Sequence, residues 1–200
     1  MAAKRRVETM EENRSKLIAA ARKAFAEKGF AAASMDDITA SVGLTRGALY
    51  HNFGDKKGLL AAVVAQIDGD MAQRAREMAA SAGDEWERLL AEGIAYINMA
   101  LDEEVRRIVL LDGPAFLGDP AQWPSQNNCL ESTRQCISAM LERGIIQPVD
   151  VDAAASLLNG AALNAAQWVA ASSNPQQALP RVIEIFTLMV NGLLNRAAKA

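Results

Sequence analysis

The chain has 200 residues, half of them apolar, and a formal net charge of −3 at pH 7. This composition is typical of a globular protein with a sizeable core. A single histidine argues against a zinc site built from nitrogen and sulfur ligands. No run of about 18 apolar residues is present, and no apolar run follows the basic N-terminus, so neither a membrane span nor a secretory signal is expected. The predicted location is the cytoplasm.

The charge is unevenly distributed along the chain. Residues 1–58 carry 11 Lys and Arg against 7 Asp and Glu, a net charge of +4, and the remainder carries 10 against 17, a net charge of −7. A basic end on an acidic body suggests that only this end meets a polyanion. The two cysteines, Cys129 and Cys136, would lie about 10 Å apart on a helix, too far for a disulfide. They are interpreted as small core residues.

The first quarter of the chain predicts three helices. A helix from about Met10 to Lys28 ends at Gly29, a typical C-terminal cap residue. Ser34 caps a second helix, Gly43 turns the chain, and Thr45 caps a short third helix that runs to about Asn52. Two short helices joined by a glycine turn and held by a longer helix form a helix-turn-helix arrangement.

The rest of the chain has helical periodicity almost throughout. A fourth helix runs from about Lys56 to Ala80, and further helices are predicted over 86–101, 103–112, 125–143 and 152–172. Asn174 and Pro175 begin the last helix. Gly113 and Pro114 are expected to end the helix before them, and residues 118–124 to form an irregular connection. The fold class is therefore all-α with about nine helices, divided into an N-terminal domain at 1–58 and a larger domain at 59–200.

The short third helix has too small an apolar face to be present for stability alone. Ala48 and Leu49 face the preceding helices, and the other side is rich in hydrogen-bond donors. Arg46 suits guanine, and His51 or Asn52 could reach base edges. Gly47 leaves room for a close backbone approach. A solvated short helix in a protein that binds no DNA is the alternative interpretation, because this geometry also occurs in such proteins.

Residues Lys16 to Val64, "KLIAAARKAFAEKGFAAASMDDITASVGLTRGALYHNFGDKKGLLAAVV", closely resemble the DNA-binding domain of the TetR family of bacterial transcriptional regulators. The shared features are the Phe-x-x-x-Gly-Phe end of the first helix, the Ser-x-x-x-Ile of the second, and the pattern from Gly43 to Phe53. Asn52 stands where the family often has histidine. The resemblance implies that a set of residues faces an operator in double-stranded DNA: Thr45, Arg46, Gly47, Tyr50, His51, Asn52 and Lys56.

Lys4, Arg5 and Arg6 form either an arm that reaches the DNA or a frayed terminus without specific contacts. The resemblance also implies a variable helical body that binds a small molecule and forms a dimer. A partly apolar ligand would contact wide or aromatic residues inside the bundle, although such residues more often fill a core. The candidates are Trp86, Tyr96, Met99, Leu111, Phe116, Trp123 and Trp168.

The last helix is apolar over most of its circumference between Val182 and Leu194. It must lie either in the centre of the monomer or between two monomers. The preceding helix contains glycine and alanine residues that permit close helix approach. We favour a two-fold homodimer with a four-helix interface. The expected interface residues are Leu158, Ala162, Ala165, Phe186, Met189 and Leu193.

The combined pattern predicts a ligand-responsive transcriptional regulator, most often a repressor, that releases its operator when a small effector binds. No constellation for catalysis is present, because the chain has one histidine, no nucleophile motif and no phosphate-binding glycine loop. The protein is therefore not expected to be an enzyme or to carry a cofactor or metal. The alternative is a helical dimer that binds small molecules without recognising specific DNA.

Overall fold

The computed structural model describes the backbone of residues 2–195 and the side chains of residues 9–195. Over this range the chain forms nine α-helices and no β-sheet, which confirms the all-α prediction. The helices are α1 (Ala2–Ala32), α2 (Met35–Ser41), α3 (Arg46–Phe53), α4 (Lys56–Ala79), α5 (Glu85–Asn98), α6 (Gly113–Leu117), α7 (Pro124–Glu142), α8 (Val151–Ala171) and α9 (Pro175–Asn191). Two 3₁₀ turns, Met99–Leu101 and Pro120–Gln122, and a π-helix, Val105–Asp112, complete the set.

Helices α1 to α3 pack on the first half of α4 and share one core with it. The central side chains of this core are nearly or fully buried: Leu17, Phe25, Ile38, Leu49, Leu59 and Leu60. Each short helix begins at a capped residue, as predicted, since Ser34 accepts from the Asp37 amide at 3.3 Å and Thr45 from the Ala48 amide at 3.2 Å. The caps set the start of α2 and α3, and the core sets which side of α3 faces inward.

Helix α1 begins at Ala2 rather than near Met10. The predicted break at Gly29 is confirmed, because φ is +76° there, and a second helical stretch then continues to Ala32. A Cβ atom at Gly29 would lie 2.1 Å from the guanidinium group of Arg107, so this position combines a left-handed backbone with a close approach. The side chains of Lys4, Arg5 and Arg6 lie outside the described residues, and the arm stays a prediction.

The segment after α5 also departs from expectation. Residues 103–112 were predicted as an ordinary helix, but Val105–Asp112 is a π-helix, a rare form in proteins. Gly113 and Pro114 do not end the helical segment, because α6 begins there directly. Proline is tolerated in the first turn of a helix, where its missing N–H has no partner to lose.

Polar contacts besides α4 also join the N-terminal helices to the body. Arg22 of α1 bonds Glu104 at 2.6 Å and Asp70 of α4 at 2.7 Å. These hydrogen bonds, that to Glu104 most strongly, raise the pKa of Arg22 above its ordinary value. The Phe30 amide donates to the Asp112 carboxylate at 2.8 Å. Residues 104–112 are thus bonded to α1 at two places, Arg22 and Phe30.

No helix within residues 2–195 combines the length and the apolar character needed to cross a membrane.

Gly58 tests the close packing of the start of α4 against the end of α3. A Cβ atom at this residue would lie 1.9 Å from the Phe53 carbonyl oxygen. We expect Gly58→Ala to lower the free energy of unfolding by about 1–3 kcal/mol, because the backbone of α3 or α4 must shift. Thermal unfolding followed by circular dichroism measures the change.

The matched control is Gly69→Ala on the same helix, where the new Cβ meets no atom within 4 Å. This change should stabilise the protein by about 0.5–1 kcal/mol, since alanine loses less entropy in a helix. If both variants unfold at the temperature of the parent protein, the close approach of α3 and α4 is wrong.

Candidate nucleic-acid interface and ligand cavity

Helix α3 lies on the surface with only one side buried. Leu49 is fully buried in the core, whereas Thr45, Arg46, Gly47, Tyr50 and His51 are exposed. The exposed side carries a guanidinium, an imidazole, a phenol and a hydroxyl group. Such a set of donors on a short protruding helix fits the edges of bases in a major groove.

Arg46 forms an exposed ion pair with an acidic residue of the neighbouring helix. Its Nε atom lies 3.1 Å from the carboxylate of Asp36 on α2, and both side chains are more than half exposed. An exposed ion pair of this kind contributes little to stability. Arg46 can therefore leave Asp36 and bind a phosphate or a base edge at a small cost in free energy.

Asn52 and Lys56, which the sequence placed in the DNA-facing set, are engaged within the protein. The Asn52 amide donates to the Ala48 carbonyl at 2.8 Å. The Lys56 ammonium donates to the Ala31 carbonyl at 3.2 Å and lies 4.7 Å from the centre of the Phe30 ring. Burial lowers the pKa of Lys56. Both residues lie at the edge of the exposed side of α3. They support the head, by which we mean α1 to α3 and the first half of α4.

A cavity of about 190 Å³, partly open to solvent, lies among α4, α5, α7, α8 and α9 of the body. The Phe186 ring packs directly on Gly93, because a Cβ atom at this glycine would lie 2.8 Å from the ring. The lining includes Ala72, Ala75, Arg76, Glu85, Arg88, Leu89, Glu92, Gly93, Tyr96, Gln126, Cys129, Ser132, Thr133, Cys136, Leu158, Asn159, Ala162, Phe186 and Val190.

Polar atoms without partners occur at and beside this cavity. The Tyr96 hydroxyl oxygen and the Asn159 amide nitrogen are buried and make no hydrogen bond within the described chain. Behind them, Asp68 is 2 % exposed, and one of its carboxylate oxygens accepts from Gln126 at 2.9 Å while the other has no partner there. Burial raises the pKa of Asp68, and burial followed by the nearby Asp68 carboxylate raises that of Tyr96. The tyrosine is therefore a neutral hydrogen-bond donor.

Four charged side chains in the lining balance one another. Burial raises the pKa of Glu92, and Arg76 and Arg88 act in the opposite direction. The carboxylate of Glu85 forms an ion pair with Arg143. Burial also raises the pKa of Cys129 and Cys136, so both line the cavity as neutral thiols rather than thiolates. With two arginines and two glutamates, the lining carries no net formal charge.

Of the seven side chains proposed as ligand contacts, the cavity brings in Tyr96 alone. Trp86 is buried and donates to the Asn191 side chain at 3.0 Å, and Phe116 packs on Phe30. Met99 and Trp123 fill the core, whereas Leu111 and Trp168 are exposed. The other six side chains lie outside this cavity, and as ligand contacts they stay predictions.

The residues proposed for the dimer interface also separate into groups. Leu158, Ala162 and Phe186 line the cavity, Ala165 and Leu193 are half-buried, and Met189 is exposed. The structure leaves five large apolar side chains of α8 and α9 exposed, among them Met189 of the predicted interface. These are Leu157 (74 % exposed), Trp168 (53 %), Ile185 (56 %), Leu188 (63 %) and Met189 (62 %). We name this set the α8–α9 face.

Other cavity residues were absent from the proposed contacts because single short polar residues give no signal in a sequence. Gln126, Thr133 and Cys129 lie on α7, which carried no proposed contact. Asn159 of α8 also lines the cavity, whereas Asn98 donates to the Ile94 carbonyl of its own helix.

Comparison with known families agrees with this architecture at both ends of the chain. Residues 17–63 match the model of bacterial regulatory proteins of the tetR family, and residues 86–193 match that of a tetracyclin repressor-like C-terminal domain. The chain belongs to the TetR family. The resemblance inferred from the helix-turn-helix residues is thereby confirmed and extends to the body.

Relatives with assigned roles are regulators of transcription. The chain is 28 % identical to the HTH-type transcriptional regulator AcrR of Shigella flexneri, over 66 % of this chain and 67 % of AcrR. It is also 28 % identical to the HTH-type transcriptional repressor AcnR of Corynebacterium glutamicum, over 70 % and 73 %. The protein is thus a DNA-binding regulator of transcription, and the prediction that it is not an enzyme is confirmed.

Solved structures share the fold over nearly the whole chain. A TetR-family regulator from Pectobacterium atrosepticum is 44 % identical, with a TM-score of 0.86 over 94 % of this chain and 97 % of its own. RolR, solved in complex with resorcinol, is 20 % identical, with a TM-score of 0.72 over 96 % and 93 %. The second likeness bears on the fold alone.

Gly47 tests whether the α3 backbone approaches DNA. A Cβ atom there would meet only the Thr45 hydroxyl oxygen, at 3.7 Å, so the free protein has room for alanine. We expect Gly47→Ala to keep the unfolding temperature of the parent or raise it, yet to weaken DNA binding by about 1–3 kcal/mol through crowding at the interface. Fluorescence anisotropy on a labelled duplex measures the affinity.

Gly69→Ala, which adds the same methyl group far from α3, serves as the matched control and should bind DNA as the parent does. Equal affinity of the Gly47 variant and this control would show that DNA does not come close to the start of α3.

Proposed function

We propose that the protein is a ligand-responsive repressor that binds a near-palindromic operator as a two-fold dimer and leaves it when a small, partly apolar molecule enters the body cavity. The observation that carries this proposal is the exposed side of α3. It presents Arg46, Tyr50 and His51 beside a glycine, on a helix whose opposite side is anchored by the fully buried Leu49.

In the proposed complex, α3 enters the major groove with Thr45, Arg46 and Gly47 at its leading end. Arg46 exchanges Asp36 for a base edge, and Tyr50 and Thr45 donate to phosphates. Lys57 is exposed at the start of α4 and adds a phosphate contact. Asn52 and Lys56 support this surface from its edge through their bonds to Ala48 and Ala31.

A second copy of the chain covers the α8–α9 face in this proposal. Helices α8 and α9 pack against each other, so their exposed apolar side chains form one surface. An apolar surface of this kind on an otherwise polar protein marks an interaction site. A two-fold pairing of α8 and α9 places two copies of α3 on successive major-groove segments about 34–36 Å apart or modestly further.

Helix α4 is the element proposed to couple ligand binding to DNA binding. Near its start, Leu59 and Leu60 are fully buried in the core that holds α3, and further along Ala72, Ala75 and Arg76 line the cavity. A ligand that displaces α4 changes the separation of the two heads. Operator and ligand must then weaken each other by the same factor, because the coupling is reciprocal.

We propose residues 1–58 as the DNA-binding domain, residues 59–200 as the ligand-binding and dimerisation domain, and the bacterial cytoplasm as the place of action. The second candidate, a helical dimer that binds small molecules without specific DNA recognition, is favoured by the well-formed cavity. Only the first candidate predicts that the protein prefers a particular DNA sequence.

A binding titration on the DNA upstream of the protein's own reading frame distinguishes the two. At fixed salt, the parent should prefer this DNA over a scrambled duplex of equal length, and Arg46→Ala should weaken specific binding by about 1–3 kcal/mol. The same variant should bind scrambled DNA nearly as the parent does. Binding without sequence preference in the parent would favour the second candidate.

The dimer is tested at Leu188, which is 63 % exposed in the monomer. Because its side chain is not needed for the monomer core, Leu188→Asp should retain its helical circular dichroism spectrum. It should sediment near the monomer mass of 21.4 kDa at micromolar concentration, whereas the parent sediments near twice that mass. Met10→Asp replaces another exposed apolar residue, on α1, and should leave the dimer intact. A dimeric Leu188 variant would contradict the proposed interface.

A further inference from the structure

A network of charged side chains lies where α1 meets α4 and the segment before the π-helix. We call it the Arg22 network, and its members are Arg22 of α1, Asp70 and Arg74 of α4, and Asp102 and Glu104. Resting on the proposed function, we propose that Arg22 is a positioning residue for DNA binding. Through this network it fixes the direction in which the head points from the body, and therefore where α3 meets the DNA.

Arg22 uses all three nitrogens of its guanidinium group. Nε and one Nη donate to the two carboxylate oxygens of Glu104, at 2.6 and 2.7 Å. The other Nη donates to the Asp70 carboxylate at 2.7 Å. A pair in which an arginine donates twice to one carboxylate is directional as well as strong. Because the pair fixes the plane of the guanidinium group, it limits the rotation of α1 against the body as well as the distance between them.

The carboxylate partners of Arg22 are themselves held in place. Asp70 and Arg74 are four residues apart and lie on one face of α4, and Arg74 donates to Asp102 at 3.4 Å. An Asp102 oxygen accepts from the Glu104 amide at 3.1 Å, which fixes the backbone that carries the Glu104 side chain. An isolated exposed ion pair contributes little, but a doubly bonded pair within a network of charges is the arrangement expected to contribute.

Partial burial strengthens the central pair of this network. The side chains of Arg22 and Glu104 are only 27 % and 29 % exposed, so salt screens their attraction less than that of a fully exposed pair. Removing either partner leaves a partly buried charge without its counter-charge. We therefore expect the loss of one partner to release the contact between α1 and the segment before the π-helix.

Arg22 is firmly connected to the part of the head that carries α3. It follows Ala21 on α1, and the side chains of Leu17, Ala21 and Phe25 are fully buried. These side chains belong to one core with Leu49 of α3. A rotation of α1 against the body therefore carries α3 with it, and the bonds of Arg22 oppose this rotation.

A fixed direction of the head lowers the cost of binding an operator. In the proposed dimer, both copies of α3 must reach their major-groove segments at once. Heads that point in many directions lose this freedom when the complex forms, whereas heads held by Arg22 have lost it already. Arg22 should therefore matter more for the operator than for arbitrary DNA, which requires no fixed register of the two heads.

Three variants of the full-length protein with the same new side chain test the inference. Arg22→Met and Glu104→Met, the network variants, each remove one partner of the central pair and change the net charge in opposite directions. Arg134→Met is the matched control, because Arg134 pairs with Glu131 and Asp152 inside the body. Circular dichroism establishes which variants are folded, and each network variant is sufficient by itself for the distance measurement.

The direction of the head is measured by double electron–electron resonance. Spin labels are attached to a ketone amino acid at Ala40 of α2 and at Glu142 of α7, both exposed, so that the two native cysteines stay unlabelled. Labelled chain is diluted with unlabelled chain, so that each distance is measured within one chain. The parent and the control should give the same narrow distance distribution, and the network variants a broader or displaced one.

DNA binding is measured by fluorescence anisotropy at fixed salt. Both network variants should bind the upstream DNA about three- to tenfold more weakly than the parent, and scrambled DNA within about twofold. An effect of charge alone would weaken the binding of Arg22→Met and strengthen that of Glu104→Met. A loss in both variants therefore reports the position of the head rather than its charge.

The inference is overturned if the network variants keep the distance distribution of the parent. It is also overturned if they shift the affinity for the upstream DNA in opposite directions, or if the head moves without any loss of that affinity. A parent that does not prefer the upstream DNA contradicts the proposed function, and the distance measurement then decides by itself whether Arg22 fixes the head.

Discussion

An eight-residue helix does not persist by itself in water, because forming its first turn costs more than the few later hydrogen bonds return. Everything that α3 does therefore depends on Leu49, which is fully buried against α1 and α4, and on the Thr45 cap. These contacts orient the helix and leave Arg46, Tyr50 and His51 exposed on its other side, where Arg46 pairs with Asp36. The donor-rich surface is a consequence of where one leucine is buried.

The same packing makes the head inseparable from the body. Helix α4 begins in the head core, passes Asp70, which bonds Arg22, and reaches the cavity at Ala72. The π-helix adds a second route, since Asp112 at its end accepts from the Phe30 amide. An i→i+5 segment is rare and tends to occur at functional sites. Because the π-helix packs against α1, it connects the body to the head at a second place besides α4. A movement of the body could therefore reach the head by either connection.

The sequence allowed the fold class, the two N-caps and the exposed side of α3 to be predicted, because each depends on local chemistry: Ser34 and Thr45 bond amides three residues on, and Leu49 is the apolar anchor. The cavity of the body could not be located in this way. Trp86 and Trp123 proved to be core residues, whereas Gly93 and Asn159 line a space that exists only after five helices meet. Sequence periodicity also did not predict the π-helix, whose Arg107 lies against Gly29, or the start of α1 at Ala2.

Photo-crosslinking to bound DNA tests the central claim most directly. A benzophenone amino acid placed at Tyr50, which is 47 % exposed on α3, should cross-link to bases of the upstream DNA when the complex is irradiated. The same group at Met78, 59 % exposed on α4, should not. A complex that forms on this DNA yet gives no cross-link at Tyr50, or an equal yield at Met78, would contradict the claim that α3 is the surface that reads the operator.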